Sequence, residues 1–464
     1  MTITWVVSTL WVFYLLVLSV MIIWQRRAPV ATLSWILSLA ALPWIGLLIF
    51  YVFGPQKIKR KRLRRAASKR RLGLSQQGSA QGRSPPVYAT QMARLGQATT
   101  EMPPVTCTRF DLLVDGGATY ESIFAAIEAA TQQVHLEYYI YEPDQIGTAL
   151  RDLLARKASQ GVQVRLLLDA LGSKRCNRRF LAPLLQAGGE LAFFHETTFR
   201  SLRPVINMRT HRKLVICDGT VGFTGGINIT DEEDERSNPL AYHDLHLRLE
   251  GAVVEQLQQV FLEDWFYTTG ERPQPLPYVE PPEGKHIVQV LQSGPDNDWA
   301  PIYRAYLAAI NTAEKRICLA TPYFVPDEGA MIALTNAALR GVDVQVMVPH
   351  RSDSWIVTEA ARSYFDELII AGVRVWEYTG RMLHSKTLVV DDKYAAIGTA
   401  NFDNRSFRLN FEVSVLAYGA PLADALAQRF YDDLSECTRV VHPRKLTRVA
   451  AFGEAWARLF SPLL

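Results

Sequence analysis

Two eighteen-residue blocks of this chain match in register, and that recurrence limits the fold more than any other feature. HRKLVICDGTVGFTGGIN covers residues 211–228 and HSKTLVVDDKYAAIGTAN covers 384–401, an offset of 173 residues. Each block carries His, any residue, Lys, four residues, Asp, six residues, then a Gly-led stretch ending in Asn: His211, Lys213, Asp218 and Asn228 in one, His384, Lys386, Asp391 and Asn401 in the other. The flanking pattern repeats too. TRFDLLVDG, VHLEYYIYE, VQVRLLLDA and ELAFFH read as strands, separated by helical stretches such as ATYESIFAAIEAATQQ and TALRDLLARKASQ. After residue 285 the order returns in IVQVLQSG, RICLATPYFV, VDVQVMVP and VRVWEYT, again with helical stretches between. Strands alternating with helices predict an α/β architecture with mostly parallel sheets flanked by helices. The expected domains are 105–275 and 285–464, joined through the Pro-rich ERPQPLPYVEPPEG.

The block also limits the chemistry. In HRKLVICDG the apolar run Leu214–Cys217 reads as a buried strand. Residues two apart on a strand face the same side, so His211 and Lys213 point together off one end, with Asp218 at the other. Each block offers an imidazole, an ammonium and an amide. Brought together, the two copies would surround one phosphate with Lys213, Lys386, Asn228 and Asn401 and put a histidine on either side. A neutral imidazole can attack phosphorus while a protonated one donates to the leaving oxygen. The lysines stabilise charge developing on the phosphoryl oxygens. This scheme calls for no metal and no cofactor. A lone His-x-Lys is as easily a solvated strand end. Two copies in register, each followed by Gly and Asn, in a chain with nine His leave that reading little room.

The paired blocks resemble the phospholipase D superfamily, whose signature is H-x-K-x4-D-x6-G-G/S-x-N, usually present twice. The second block departs from it only in Thr399, where Gly or Ser is usual. The resemblance implies two duplicated phospholipase D-like domains related by a pseudo-twofold. The triplets His211-Lys213-Asp218 and His384-Lys386-Asp391 would form the catalytic set. His211 would be the nucleophile, His384 the general acid that later activates the acceptor, and Asp218 and Asp391 would hold the motif turn. Asp244 and Glu412 stand where the superfamily places carboxylates that orient the histidines. Along its whole length the chain is similar to the bacterial cardiolipin synthases within that superfamily, through LPWIG, EYYIYEPD, NMRTHRKLVICDG, QSGPD, TPYFVPDE, NFDNRSFRLNFE and RLFSPLL. That subfamily implies phosphatidyl transfer from one phosphatidylglycerol to another with release of glycerol. YHD at 242–244 departs from a common Trp-Arg-Asp-like sequence, with His243 read as a neutral variation. A phospholipase D hydrolase, or a transferase using another alcohol, shares the histidine chemistry and remains open. The intact triplets argue against an inactive scaffold.

The amino-terminal region points to a lipid setting. Residues 3–24 carry no charge and 31–53 are similarly apolar, so 1–56 reads as a two-helix transmembrane hairpin. KIKRKRLRRAASKRR, residues 57–71, holds ten basic side chains. By the positive-inside rule it places the hairpin's ends and the catalytic part in the cytoplasm; the resemblance implies the inner membrane of a bacterial cell. The basic run also offers a contact for anionic lipids. Residues 57–104 as a whole read as a basic segment and a tether of low structural content. Beyond residue 71 the chain has 38 basic and 46 acidic residues, which argues against a nucleic-acid partner and hence against a nuclease. The five Cys are irregularly spaced and suggest neither disulfides nor zinc. Tyr138, Tyr139, Tyr141, Tyr323 and Phe324 are candidates to line an apolar cleft, or equally to fill the sheet core. The carboxyl-terminal LTRVAAFGEAWARLFSPLL is amphipathic, suited to a membrane interface or to packing on the body.

Overall fold

The computed structural model describes residues 2–24, 29–41, 82–195, 208–272 and 284–464. They fall into two compact units, an amino-terminal one and a body that begins beyond it. In the amino-terminal unit, helices Thr2–Ile23 and Pro29–Ala41 lie against each other. The first is 22 residues long and uncharged; the second has 13 described residues, and 42–53 of the expected span lie outside the description. Among the described residues no helix is long and apolar enough to cross a membrane. The basic segment 57–71 and the Pro-rich join also lie outside the described residues.

The body holds two sheets of matching topology. In the first, seven strands run in the order Arg109–Val114, Leu245–Glu250, Val221–Gly225, Lys213–Cys217, Gln133–Tyr138, Gln163–Asp169, Glu190–Phe194. The second repeats it as His286–Ser293, Glu412–Tyr418, Tyr394–Gly398, Thr387–Val390, Arg316–Ala320, Asp343–Pro349, Arg374–Tyr378, with one short strand added at each edge. The expectation of mostly parallel sheets is corrected here. Among the described residues of these two sheets, only strands joined by helical crossovers, such as Gln133–Tyr138, Gln163–Asp169 and Glu190–Phe194, pair in parallel. Each motif strand instead returns through a tight turn to an antiparallel neighbour. Those turns begin at Asp218 and Asp391, both left-handed with φ of 51° and 55°.

The domain boundary also needs correction. Residues 87–100 are not a tether: Val87–Ala89 form one short turn and Thr90–Thr100 a helix. Ala89, Met92 and Ala93 sit in the core of the second half. Gln289 of that half donates from Nε2 to the carbonyls of Ala93 and Met102, at 3.2 and 2.6 Å. Gly96 lets the helix approach, since a Cβ there would lie 2.5 Å from the Gln289 side chain. Strand Val105–Cys107 then pairs with His286–Ser293, so the chain completes the edge of the second sheet before starting the first. At the other end, helix Arg448–Arg458 buries Glu454 and Ala457 and leaves Val449, Phe452 and Leu459 exposed.

Candidate active site

The two sheets meet along the strands that follow the motifs, Val221–Gly225 and Leu245–Glu250 against Tyr394–Gly398 and Glu412–Tyr418. Two exchanged backbone contacts fix this seam. His211 N donates to Phe411 O at 2.9 Å, and His384 N donates to His243 O at 2.7 Å. Each histidine is thereby delivered beside the carboxylate of the opposite half. His211 Nδ1 lies 3.0 Å from Glu412 Oε2 and 3.0 Å from the Thr399 carbonyl. His384 Nδ1 lies 2.6 Å from Asp244 Oδ2. All these partners are acceptors, so each Nδ1 carries a proton and each Nε2 keeps a lone pair. The two imidazoles are close enough for charge on His211 to act on His384. The departure at Thr399 has a structural use: its hydroxyl donates to Glu412 Oε2 at 2.5 Å. At the matching place in the first half Gly226 is required, because a Cβ would fall 2.1 Å from the Asp244 carboxylate.

The lysines lie on the floor of the same site, both fully buried. Lys213 Nζ donates to His211 O at 2.9 Å and lies 5.6 Å from the Tyr139 ring centroid. Lys386 Nζ donates to His384 O and, at 3.4 Å, to Asp244 Oδ2. Asn228 and Asn401 are buried beside them. The Asn228 amide donates to Glu233 Oε1 at 2.7 Å and that of Asn401 to Asp403 Oδ2 at 3.3 Å, which leaves each a second N–H. Asp218 and Asp391 lie at the other end of the motif strands. Asp218 accepts from the backbone N–H groups of Thr131, Gln132 and Gln133, and Asp391 from those of Glu314, Lys315 and Arg316. They hold the strand that pairs with the motif and touch neither histidine.

Burial sets the protonation states. It lowers the pKa of His211, outweighing the attraction of Glu412. It lowers that of His384 further, with Lys386 adding to the effect. Lys213 is pushed down to about 7 by burial and by the neighbouring Lys386 charge. Asp244 is raised to about 6 by burial, against the pull of Lys386. Burial works the same way on Glu412, but His211, Thr399 and Lys213 outweigh it and hold the carboxylate below its ordinary value. The site is thus asymmetric, with the firmer carboxylate behind His211.

Three features escaped the sequence reading. Glu233 is 1% exposed, and it and Asp244 and His384 bring potential ligand atoms within 4.8 Å of one another. Its position five residues after Asn228, matching Ser406 after Asn401, was the available signal. His243 is not a neutral variation. Its Nδ1 lies 2.7 Å from Asp115 and its Nε2 3.0 Å from Asp433 of the other half. Those bonds outweigh burial and raise its pKa to about 9, so it is a buried cation at the seam. Of the expected cleft aromatics, Tyr138, Tyr141 and Phe324 are core residues with no exposed surface. Tyr139 stands edge-on to His211 at 4.9 Å, and the unforeseen Tyr242 lies 5.4 Å from His384.

Comparison with known proteins shows the family of the chain. The family model described as cardiolipin synthase, PLD-like domain, matches residues 123–265 and 306–434. Cardiolipin synthase 1 of Bacillus anthracis is 38% identical, over 99% of this chain and 94% of that one. A cardiolipin synthase of Geobacillus kaustophilus is 39% identical, over 98% of this chain and 92% of that one. The crystal structure of the phosphatidylserine synthase of Haemophilus influenzae Rd KW20 superposes with a TM-score of 0.60 at 15% identity, covering 81% of this chain and 100% of that one, and shares the fold. By sequence along its full length and by its paired motif domains, the chain belongs to the cardiolipin synthase family of phospholipase D-like phosphatidyltransferases.

Proposed function

We propose that the chain makes cardiolipin by moving a phosphatidyl group from one phosphatidylglycerol to another through a phosphohistidine intermediate. Nε2 of His211 attacks phosphorus while His384, which takes up a proton at Nε2 as the anionic phosphodiester binds beside it, gives that proton to the departing glycerol oxygen. The headgroup hydroxyl of the second phosphatidylglycerol then loses its proton to His384, its oxygen bonds to phosphorus, and the bond to His211 breaks. Lys213, Lys386 and the free N–H groups of Asn228 and Asn401 hold the phosphoryl oxygens. The observation that carries this reading is the crossed pairing of His211 with Glu412 and His384 with Asp244. It gives one attacking and one proton-handling imidazole in a shared site. Transfer to an alcohol rather than water is supported by burial, since the histidines are 8% and 7% exposed.

The same reading places the enzyme at the bacterial inner membrane with the body in the cytoplasm. It is supported by the uncharged, apolar sequence of residues 3–24 and by the basic run 57–71. Exposed Trp5, Leu10, Phe13 and Leu16 on helix Thr2–Ile23 suit a lipid environment. The test is purified protein supplied with phosphatidylglycerol alone. Glycerol and cardiolipin should appear in equal amounts, and label from the phosphatidyl donor should become bound to wild-type protein but not to His211→Ala. Phosphatidic acid as the main product would instead identify a hydrolase.

A further inference from the structure

The pseudo-twofold breaks five residues after each motif asparagine. In the second half the backbone N–H of Asn401 donates to the Ser406 hydroxyl at 3.1 Å. In the first half the Asn228 N–H donates to Glu233 Oε1 at the same distance, and the Asn228 amide joins it at 2.7 Å. A carboxylate in place of a hydroxyl leaves one oxygen over. Glu233 Oε2 is buried and makes no hydrogen bond. A buried carboxylate oxygen is costly to leave unfilled, so its persistence points to a donor that arrives with a ligand. The position specifies which ligand. Glu233 lies beside His384 and Asp244, and its charge acts on His384 and on Lys386. It therefore stands on the His384 side of the site, where the acceptor alcohol gives up its proton.

We infer that Glu233 Oε2 accepts a hydrogen bond from the second hydroxyl of a vicinal diol whose first hydroxyl attacks phosphorus, so that the site selects a glycerol head group over water and simple alcohols. This rests on the phosphatidyl-transfer reading above. The attacking hydroxyl passes its proton to His384, the new O–P bond forms as the His211 N–P bond breaks, and the second hydroxyl keeps its proton and only donates to Glu233. A site built to bond a hydroxyl rejects the analogue that lacks it, because its own buried oxygen is then left unpaired. Glu233 is in these terms a specificity-determining residue.

The test uses the full-length protein with phosphatidylglycerol as donor and equal concentrations of 1,2-propanediol and 1-propanol as competing acceptors. The ratio of the two phosphatidyl products is internal to one reaction and does not depend on the amount of active enzyme. Wild-type protein is expected to favour the diol by about tenfold or more. Glu233→Ser, which installs the residue of the second half, should bring the ratio near unity, and Glu233→Gln should bring it part of the way. No diol preference in the wild type, a preference unchanged in both variants, or loss of both products together in both variants overturns the inference. Wild-type protein that makes no cardiolipin from phosphatidylglycerol alone defeats the underlying reading instead.

Discussion

His211 of the first half and Glu412 of the second face each other across the pseudo-twofold, Nδ1 to Oε2 at 3.0 Å. His384 and Asp244 form the reciprocal pair. Neither half contains a histidine together with the carboxylate that orients it. The candidate site is therefore a property of the seam between the halves, and on the proposed mechanism Glu412 would orient the nucleophile and Asp244 the proton carrier.

That division can be separated with a donor whose leaving group needs no proton, such as phosphatidyl-p-nitrophenol. Asp244→Asn weakens His384, which is then needed only to activate the acceptor. A burst of p-nitrophenol followed by slow turnover is expected, with labelled protein accumulating. Glu412→Gln weakens the attack itself, so no burst should appear. Both variants should lose about 10²–10⁴ in turnover on phosphatidylglycerol, the usual range for disabling a positioned proton-transfer group. Equal bursts from the two variants would sink the assignment of steps.

The pH profile follows from Lys213 and His211. In the free enzyme His211 must be neutral, and its pKa lies below 6.5. Lys213 must be charged to hold phosphate, and it titrates at about 7. On phosphatidyl-p-nitrophenol, whose departure needs no proton from His384, the kcat/KM profile, which reports free-enzyme groups, should rise below pH 6.5 and fall as pH passes about 7. A bound phosphodiester stabilises the ammonium, so the alkaline limb of kcat should lie at higher pH than that of kcat/KM. A kcat/KM flat between pH 6 and 9 would contradict the buried-lysine account.

Much of the site was legible because it depends on short spacing. The His-x-Lys pair on a strand end and the 173-residue offset together specify two like clusters, and the structure brings them to one seam. What the sequence hid depends on contacts distant along the chain. Strand direction was misread because helical stretches between strands suggested crossovers throughout, while the turns at Asp218 and Asp391 reverse the chain. Helix Thr90–Thr100 was missed because its buried face sets one large apolar residue, Met92, among the small and polar Ala93, Gly96, Thr99 and Thr100, too few apolar side chains for a clear stripe. The crossing of carboxylates leaves no local trace, since Asp244 and Glu412 each follow the motif of their own half.

His243 predicts a pH dependence of stability. Its folded pKa, about 9, exceeds the ordinary 6.5 because Asp115 and Asp433 flank it. Its contribution is fully present below pH 6.5 and is lost as pH rises through about 9, with an upper size of about 3 kcal/mol. His243→Ala should therefore lower the thermal midpoint more at pH 6 than at pH 10, where only the lost packing against Tyr378 remains. His243→Arg, a cation at every pH, should remove the alkaline decline if the guanidinium fits between the two carboxylates. A wild-type midpoint that holds steady between pH 6.5 and 10 would show that the seam does not depend on this charge.

The carboxyl-terminal helix predicts a separable lipid contact. Arg444 ties Glu454 to the body at 2.8–2.9 Å and Ala457 is buried, which turns Val449, Phe452 and Leu459 outward at 82%, 72% and 75% exposure. Arg448 and Arg458 begin and end this helix, as suits anionic head groups. Seating an exposed Phe or Leu in lipid is worth about 1.5–3 kcal/mol if fully buried, less at an interface. The double variant Phe452→Ser/Leu459→Ser touches no buried group and should leave turnover of soluble short-chain phosphatidylglycerol as in wild type. Its kcat/KM on phosphatidylglycerol vesicles should fall by about tenfold or more. Equal losses on both substrates would make the helix a structural element, and no loss on vesicles would mean that this face does not meet the bilayer.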